Sequence, residues 1–260
     1  MSTTGSFNQE HTALLKRALT CDGAELHTIL ATPEPEVVRA ALKNVALEPE
    51  HLQRLLQQRE IDDTLLTLIC KHKVAHTRSV INQLLAHPHI NPQQIKIVLE
   101  RLHLFELLNI AILPGQATDV RIAAEHQLRL RLPTAPLGNK ITLARRATYP
   151  VLEALMLEGH PQVIEPCLNN PRMKEAAIYR YLHSQTVGAK SINIIARHPR
   201  WNKRPNIRLA ILRNCHTPKV LFAQFLPGMA PQQARQLLFS KHLNAAQKEW
   251  IRDILGQKKM

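Results

Sequence analysis

The densest chemistry in this 260-residue chain lies in the tract Arg197-His198-Pro199-Arg200-Trp201-Asn202-Lys203-Arg204-Pro205-Asn206-Ile207-Arg208. Five Lys/Arg side chains surround one tryptophan between two helix-forming stretches. Guanidinium forks grip carboxylates and phosphates, and an indole face stacks on a base or a cation. Trp201 has a second reading, as a hydrophobic plug between helices with the cations as a solvated rim. Arg204 and Arg208 stand four apart, on one helical face, and Arg145 and Arg146 lie near an earlier helix end. The candidate contact set is therefore Arg145, Arg146, Arg197, Arg200, Trp201, Lys203, Arg204 and Arg208. Arg145, Arg146, Arg204 and Arg208 line one groove only if the chain curves inward at both places.

Other side chains carry weaker chemistry. Cys70, His72 and His76, with His87 and His89 a helix later, spell C-x-H-x3-H followed by H-x-H, which is not a zinc signature. With 14 histidines in the chain, such proximity is ordinary. His72 also has a partner, His198, in the repeat described below, which points to imidazoles bonding helix-end carbonyls. No metal site is expected. Asp62-Asp63 sits where a helix begins, and carboxylates there cap amides and meet the positive dipole end. No HExxH, GxSxG, P-loop or GxGxxG pattern is present, so neither a catalytic residue nor a cofactor is expected.

The net charge of +14 is concentrated in the second half. Residues 1–157 carry 17 Lys/Arg and 15 Asp/Glu, whereas residues 158–260 carry 17 and 5. Between Glu175 and Glu249 no acidic residue occurs. A field of one sign attracts polyanions or acidic surfaces, and it also serves solubility alone. Cys21, Cys70, Cys167 and Cys215 are far apart, which suits reduced thiols rather than a disulfide framework. Met1 opens a polar stretch without the apolar core of a signal peptide, and no apolar run approaches the roughly 20 residues of a membrane span. A cytoplasmic protein without an integral membrane segment is the expectation.

The elements that must position these residues are helices. Aromatics make up only 4% of the chain, and Leu, Ile and Ala carry the apolar load. Val37, Val38, Ala41 and Leu42 recur at helical spacing, as do Leu52, Leu55 and Leu56, then Leu65, Leu66 and Ile69. The 17 prolines fit helix starts and connections, as at Pro33-Glu34-Pro35 and at Asn91-Pro92, whose counterpart is Thr217-Pro218. Residues 35–92 and 161–218 match at an offset of 126: Pro35 on Pro161, Leu42 on Leu168, Asn44 on Asn170, His72 on His198. Leu113-Pro114-Gly115 returns as Leu226-Pro227-Gly228 at an offset of 113, which implies an inserted piece of about 13 residues, one short helix, between the copies. About eighteen short helices are expected, divided as residues 1–132, a linker at 133–138 and residues 139–260.

Pro35-Glu36-Val37-Val38-Arg39-Ala40-Ala41-Leu42-Lys43-Asn44 and Pro161-Gln162-Val163-Ile164-Glu165-Pro166-Cys167-Leu168-Asn169-Asn170 resemble bacterial HEAT-like repeats, including the leucine-rich-repeat-variant type. The block from Leu137-Gly138-Asn139-Lys140-Ile141 to Arg145-Arg146-Ala147 is similar to uncharacterised members of that group. The resemblance spans most of residues 31–241. It implies an all-α fold, an armadillo-like α-solenoid, and a binding role rather than a reaction. Variant-repeat proteins with an iron–sulfur cluster use clustered cysteines, which this chain lacks. HEAT-like DNA glycosylases place tryptophans and a carboxylate in a basic groove, whereas Trp201 here has no neighbouring Asp or Glu in sequence. The expected function is a non-enzymatic scaffold that docks an acidic protein surface on its basic second half. Nucleic-acid binding, with glycosylase kinship, is the alternative.

Overall fold

The computed structural model describes residues 3–31, 34–58 and 60–257, so Met1 and Pro33 lie outside the described residues. Among those described there is no strand, and eighteen α-helices follow one another. The chain divides into two compact units, Met1–Gln127 and Leu128–Met260. The division falls inside a helix, ahead of the expected linker. Residues 133–136 are the turn after that helix, and Leu137 and Gly138 already belong to the next one.

The first nine helices are α1 (Thr3–Thr20), α2 (Gly23–Ile29), α3 (Pro35–Ala41), α4 (Pro49–Leu56), α5 (Asp63–Lys71), α6 (Arg78–Ala86), α7 (Pro92–Glu100), α8 (Leu104–Ile112) and α9 (Thr118–Arg131). The second nine are α10 (Leu137–Arg146), α11 (Tyr149–Glu158), α12 (Pro161–Asn169), α13 (Glu175–Leu182), α14 (Ala189–Arg197), α15 (Pro205–Leu212), α16 (Lys219–Phe225), α17 (Pro231–Leu237) and α18 (Ala245–Gln257). The starts of α2 to α5 precede those of α11 to α14 by 126 residues, and the starts of α6 to α9 precede those of α15 to α18 by 127. The repeat thus covers eight helices and the end of the ninth, since Thr20 and Arg146, which close α1 and α10, are also 126 apart, and one extra residue sits in the basic turn between α14 and α15.

This register corrects two expectations. The Leu-Pro-Gly echo joins unlike places: Leu113 caps the end of α8, while Leu226–Gly228 forms a 3-10 turn directly after α16. No thirteen-residue insertion exists, because α7 to α9 keep step with α16 to α18. Asn91 caps α7 by accepting from the Gln94 amide, but the extra residue moves Pro218 into the cap position of α16. Thr217 is buried, and its hydroxyl donates to the Ile211 carbonyl at 2.5 Å instead.

Most of these helices, at seven to ten residues, are too short to persist alone in water. Stability comes from apolar stripes buried within each unit, such as Val37, Val38 and Ala41 on α3 in the first and Val163, Ile164, Cys167 and Leu168 on α12 in the second. Fully burying one such aliphatic side chain contributes about 1.5–3 kcal/mol. In the first unit α1 packs on α3, α3 on α5, α5 on α7, and α4 on α6. In the second, α10 packs on α12, α12 on α14, α11 on α13, and α13 on α15. Helices two places apart are therefore neighbours, which aligns their ends in rows.

Buried polar side chains stitch those ends together. The Asn44 amide donates to Ala18 O at 2.9 Å and Cys21 O at 3.0 Å, and its Oδ1 accepts from the Ala46 amide at 2.8 Å. Asn170 repeats this with Ala144 O at 2.9 Å, Ala147 O at 3.4 Å and the Arg172 amide at 2.8 Å. Every partner is displaced by 126. Asn214 and His87, 127 apart, also reach a carbonyl of the preceding helix end in their row, though not at equivalent positions: Asn214 donates to Leu182 O at 2.7 Å, and His87 Nε2 lies 3.2 Å from Gln58 O. The helix-end carbonyls, which lack intrahelical donors, are satisfied by the next helix in the row.

Candidate functional site

The turns after α10, α12 and α14 form a connected edge of the second unit. Arg145 and Arg146 occupy the last turn of α10, and both are exposed. The Arg172 guanidinium, in the turn after α12, donates to Arg146 O at 2.9 Å. The Arg200 guanidinium, in the turn after α14, lies 3.5 Å from Met173 O and 4.4 Å above the Trp201 ring. Lys174 rests 4.7 Å from the Tyr149 ring centroid. Arg197, Lys203 and Arg204 are exposed around the same α14–α15 turn. Neighbouring helices pack about 8–10 Å apart, so the cations are spaced along a strip rather than clustered at a point. Among the described residues, no carboxylate lies within 4.0 Å of Arg145, Arg172, Arg197, Arg200, Lys203 or Arg204. Glu165 lines a groove together with Arg145 but forms no ion pair with it, while Glu153 holds Arg180 and Glu158 holds Lys140 at 2.8 Å.

Two residues of the expected contact set are placed elsewhere. Trp201 is 3% exposed, and its indole N–H donates to Leu168 O at 3.0 Å. Of its two readings the structure fits the plug, and its ring offers no stacking face to a partner. Arg208 is half-buried; its Nε donates to Asn202 O, and its guanidinium lies 5.5 Å from the Phe225 centroid. It therefore does not share an exposed face with Arg204, which precedes α15 at the cap position. Arg172 and Lys174 are the residues that sequence reasoning missed. The signal was their closeness to Asn170, whose match with Asn44 already marked a helix end.

The first copy supplies an internal comparison. At the positions of Arg145, Arg146, Arg172, Lys174 and Arg200 it has Leu19, Thr20, Ala46, Glu48 and Val74. Five cations are thus replaced by four uncharged residues and one carboxylate around the same asparagine bonds. Cations at helix C-termini gain about 0.3–1 kcal/mol from the helix dipole, but the first copy builds these turns without them. The fold does not require the charge.

His72 and His198 both stand directly after a helix end, but only His72 meets a carbonyl there, that of Leu42, and the bond the two share is to an amide instead. His72 Nδ1 accepts from the Val74 amide at 3.2 Å, and His198 Nδ1 from the Arg200 amide at 3.3 Å. Burial pushes both pKa values below the ordinary histidine value; the Leu42 carbonyl opposes this at His72, and Arg200 adds to it at His198. Leu168, the counterpart of Leu42, gives its carbonyl to Trp201, so His198 Nε2 turns to Asn169 Oδ1 at 3.0 Å. Among the described residues, no three His, Cys, Asp or Glu side chains are gathered so as to hold a metal. Burial raises the Cys70 thiol to about 11 and the Cys167 thiol to about 12. No described helix is long and apolar enough to cross a membrane. Comparisons with protein-family models, curated proteins and solved structures return no match.

Proposed function

We propose that this chain is a HEAT-like α-solenoid of the armadillo-like kind, a non-enzymatic cytoplasmic docking protein whose basic second half engages an acidic protein surface. The observation that carries the reading is the contrast between the copies. A shared set of buried bonds holds five cations in the second unit where the first has four uncharged residues and one carboxylate. Charge that folding does not need is available for recognition.

A protein surface is favoured over nucleic acid by what the edge lacks. Single-strand binders set aromatic platforms among their cations. Here Trp201 is buried, and Tyr149 is half-buried beneath Lys174. Arg172 and Arg200 each give one guanidinium nitrogen to a main-chain carbonyl, which fixes the side chain at the edge and leaves further N–H groups for a planar carboxylate.

The test exchanges the edge for its first-half sequence: Arg145→Leu, Arg146→Thr, Arg172→Ala, Lys174→Glu and Arg200→Val. Fluorescence anisotropy with a labelled poly-glutamate peptide and with duplex DNA is measured across a salt series. The native chain should bind the acidic peptide, and the exchanged chain should lose at least tenfold in affinity with unchanged helical circular dichroism. Equal peptide binding by both would refute the reading. Tighter binding of DNA, with log affinity falling linearly in log salt, would transfer the edge to nucleic acid.

A further inference from the structure

A second basic feature lies at the ends of the other row. A groove of about 380 Å³ is lined by His183, Ser184 and Gln185 after α13, by Arg213, Asn214, Cys215 and His216 after α15, and by His242 before α18. Leu182 and Ala210 complete its wall, and no carboxylate lines it. We propose that this groove binds a phosphate monoester, a ligand site separate from the edge and independent of the function proposed for it.

The argument rests on which donors are already engaged. Helix C-termini present carbonyls that disfavour an anion. Here the chain covers those carbonyls itself. Leu182 O accepts from Asn214, Tyr181 O accepts the Ser184 amide at 2.9 Å and hydroxyl at 2.8 Å, and Ile211 O accepts from the Asn214 amide and the Thr217 hydroxyl. Elsewhere in the chain arginines perform this duty, as Arg101 does for Cys70 O and Lys71 O. Arg213 does not: its half-buried guanidinium has no carboxylate or carbonyl partner among the described residues. His183 Nδ1 donates to Tyr179 O at 2.8 Å, and its ring lies against Tyr179 at a centroid distance of 4.3 Å, so His183 walls the groove while the donors come from other side chains. His216 and His242 are exposed and supply imidazole donors.

A fork-shaped guanidinium and imidazoles with no acidic competitor match a tetrahedral dianion. The volume falls in the range of about 300–1,000 Å³ typical of ligand clefts, larger than orthophosphate alone fills. That room admits the organic group of an ester.

Cys215 gives a reporter inside the site, because its thiol is free and exposed. A bound anion both shields the thiol and disfavours the thiolate that reacts. The experiment follows iodoacetamide labelling of Cys215 by peptide mass spectrometry, with inorganic phosphate or glycerol 3-phosphate added at constant ionic strength. Saturable slowing by at least threefold is expected, abolished in Arg213→Gln and weakened in His242→Gln, an exposed position that leaves the core intact. Protection by both probes with a gain for the ester assigns the ester, and equal protection assigns the free anion as sufficient. No protection by either probe overturns the proposal. So does equal loss of protection in Arg204→Gln, a cation outside the groove.

Discussion

Removing one asparagine amide tests the stitched helix ends most directly. Asn170 is 2% exposed and makes three bonds: to Ala144 O, to Ala147 O and from the Arg172 amide. Asn170→Ala deletes them and leaves no room for full hydration. The Ala147 contact, at 3.4 Å, is too long to count for much. The other two leave a carbonyl and an amide unsatisfied, each costing about 1–3 kcal/mol if it stays dry. Partial access at the turn reduces this, so a loss of about 2–4 kcal/mol is expected. Asn44→Ala, with the matching bonds from Ala18 to Ala46, should cost a similar amount. Asn170→Asp keeps the acceptor for Arg172 but turns a second oxygen toward carbonyls, so it should not rescue. Urea unfolding gives the global value. Hydrogen exchange at the Arg172 and Ala46 amides gives a local one that does not depend on two-state unfolding. A change under about 0.5 kcal/mol in Asn170→Ala, within the range of an unremarkable surface substitution, would show that the ladder is incidental.

Three further outcomes follow from the geometry. Burial depresses the folded-state pKa of His72 and His198, so their contribution is full above the ordinary value of about 6.5 and is lost as pH falls through the folded value. Because Asn serves the same role at positions 44, 170 and 214, His72→Asn with His198→Asn should flatten the stability profile between about pH 7 and 5 in urea titrations; an unchanged slope would remove these histidines from the explanation. Thiol labelling of the native protein should mark exposed Cys215 first, while Cys70 and Cys167, raised to about 11 and about 12, stay protected until unfolding; prompt native labelling of Cys167 would contradict its packing. Gly159 ends α11 at φ 75°, where an added Cβ would meet Thr186 O at 2.9 Å, so Gly159→Ala should cost more than the roughly 1 kcal/mol of a strained φ alone in thermal melts.

Much of the helical order was legible in the chain, because apolar period and punctuation are local properties. Val37, Val38 and Ala41 announced α3, Asp62 announced the start of α5, and the pairing of Asn44 with Asn170 and His72 with His198 marked equivalent helix ends. The repeat was underestimated beyond His72, where one extra residue in the α14–α15 turn shifts the register. Identities that straddle such a shift, like the two Leu-Pro-Gly segments, mislead because three residues form either a helix cap or a 3-10 turn.

What the sequence determined by itself was an all-helical chain, its internal duplication, and a cationic second half, since each depends on residue type and spacing. The tertiary structure decided which charges stand free. Trp201 and Arg208 lie in the most basic tract of the chain, yet packing against Leu168 and Phe225 withdraws them. Arg172, Lys174 and Arg213 stand in unremarkable sequence, yet the alignment of helix ends brings them to an edge or a groove. Exposure belongs to the packed assembly of helices: the same side chain is a plug or a contact according to which neighbour's carbonyl lies within its reach.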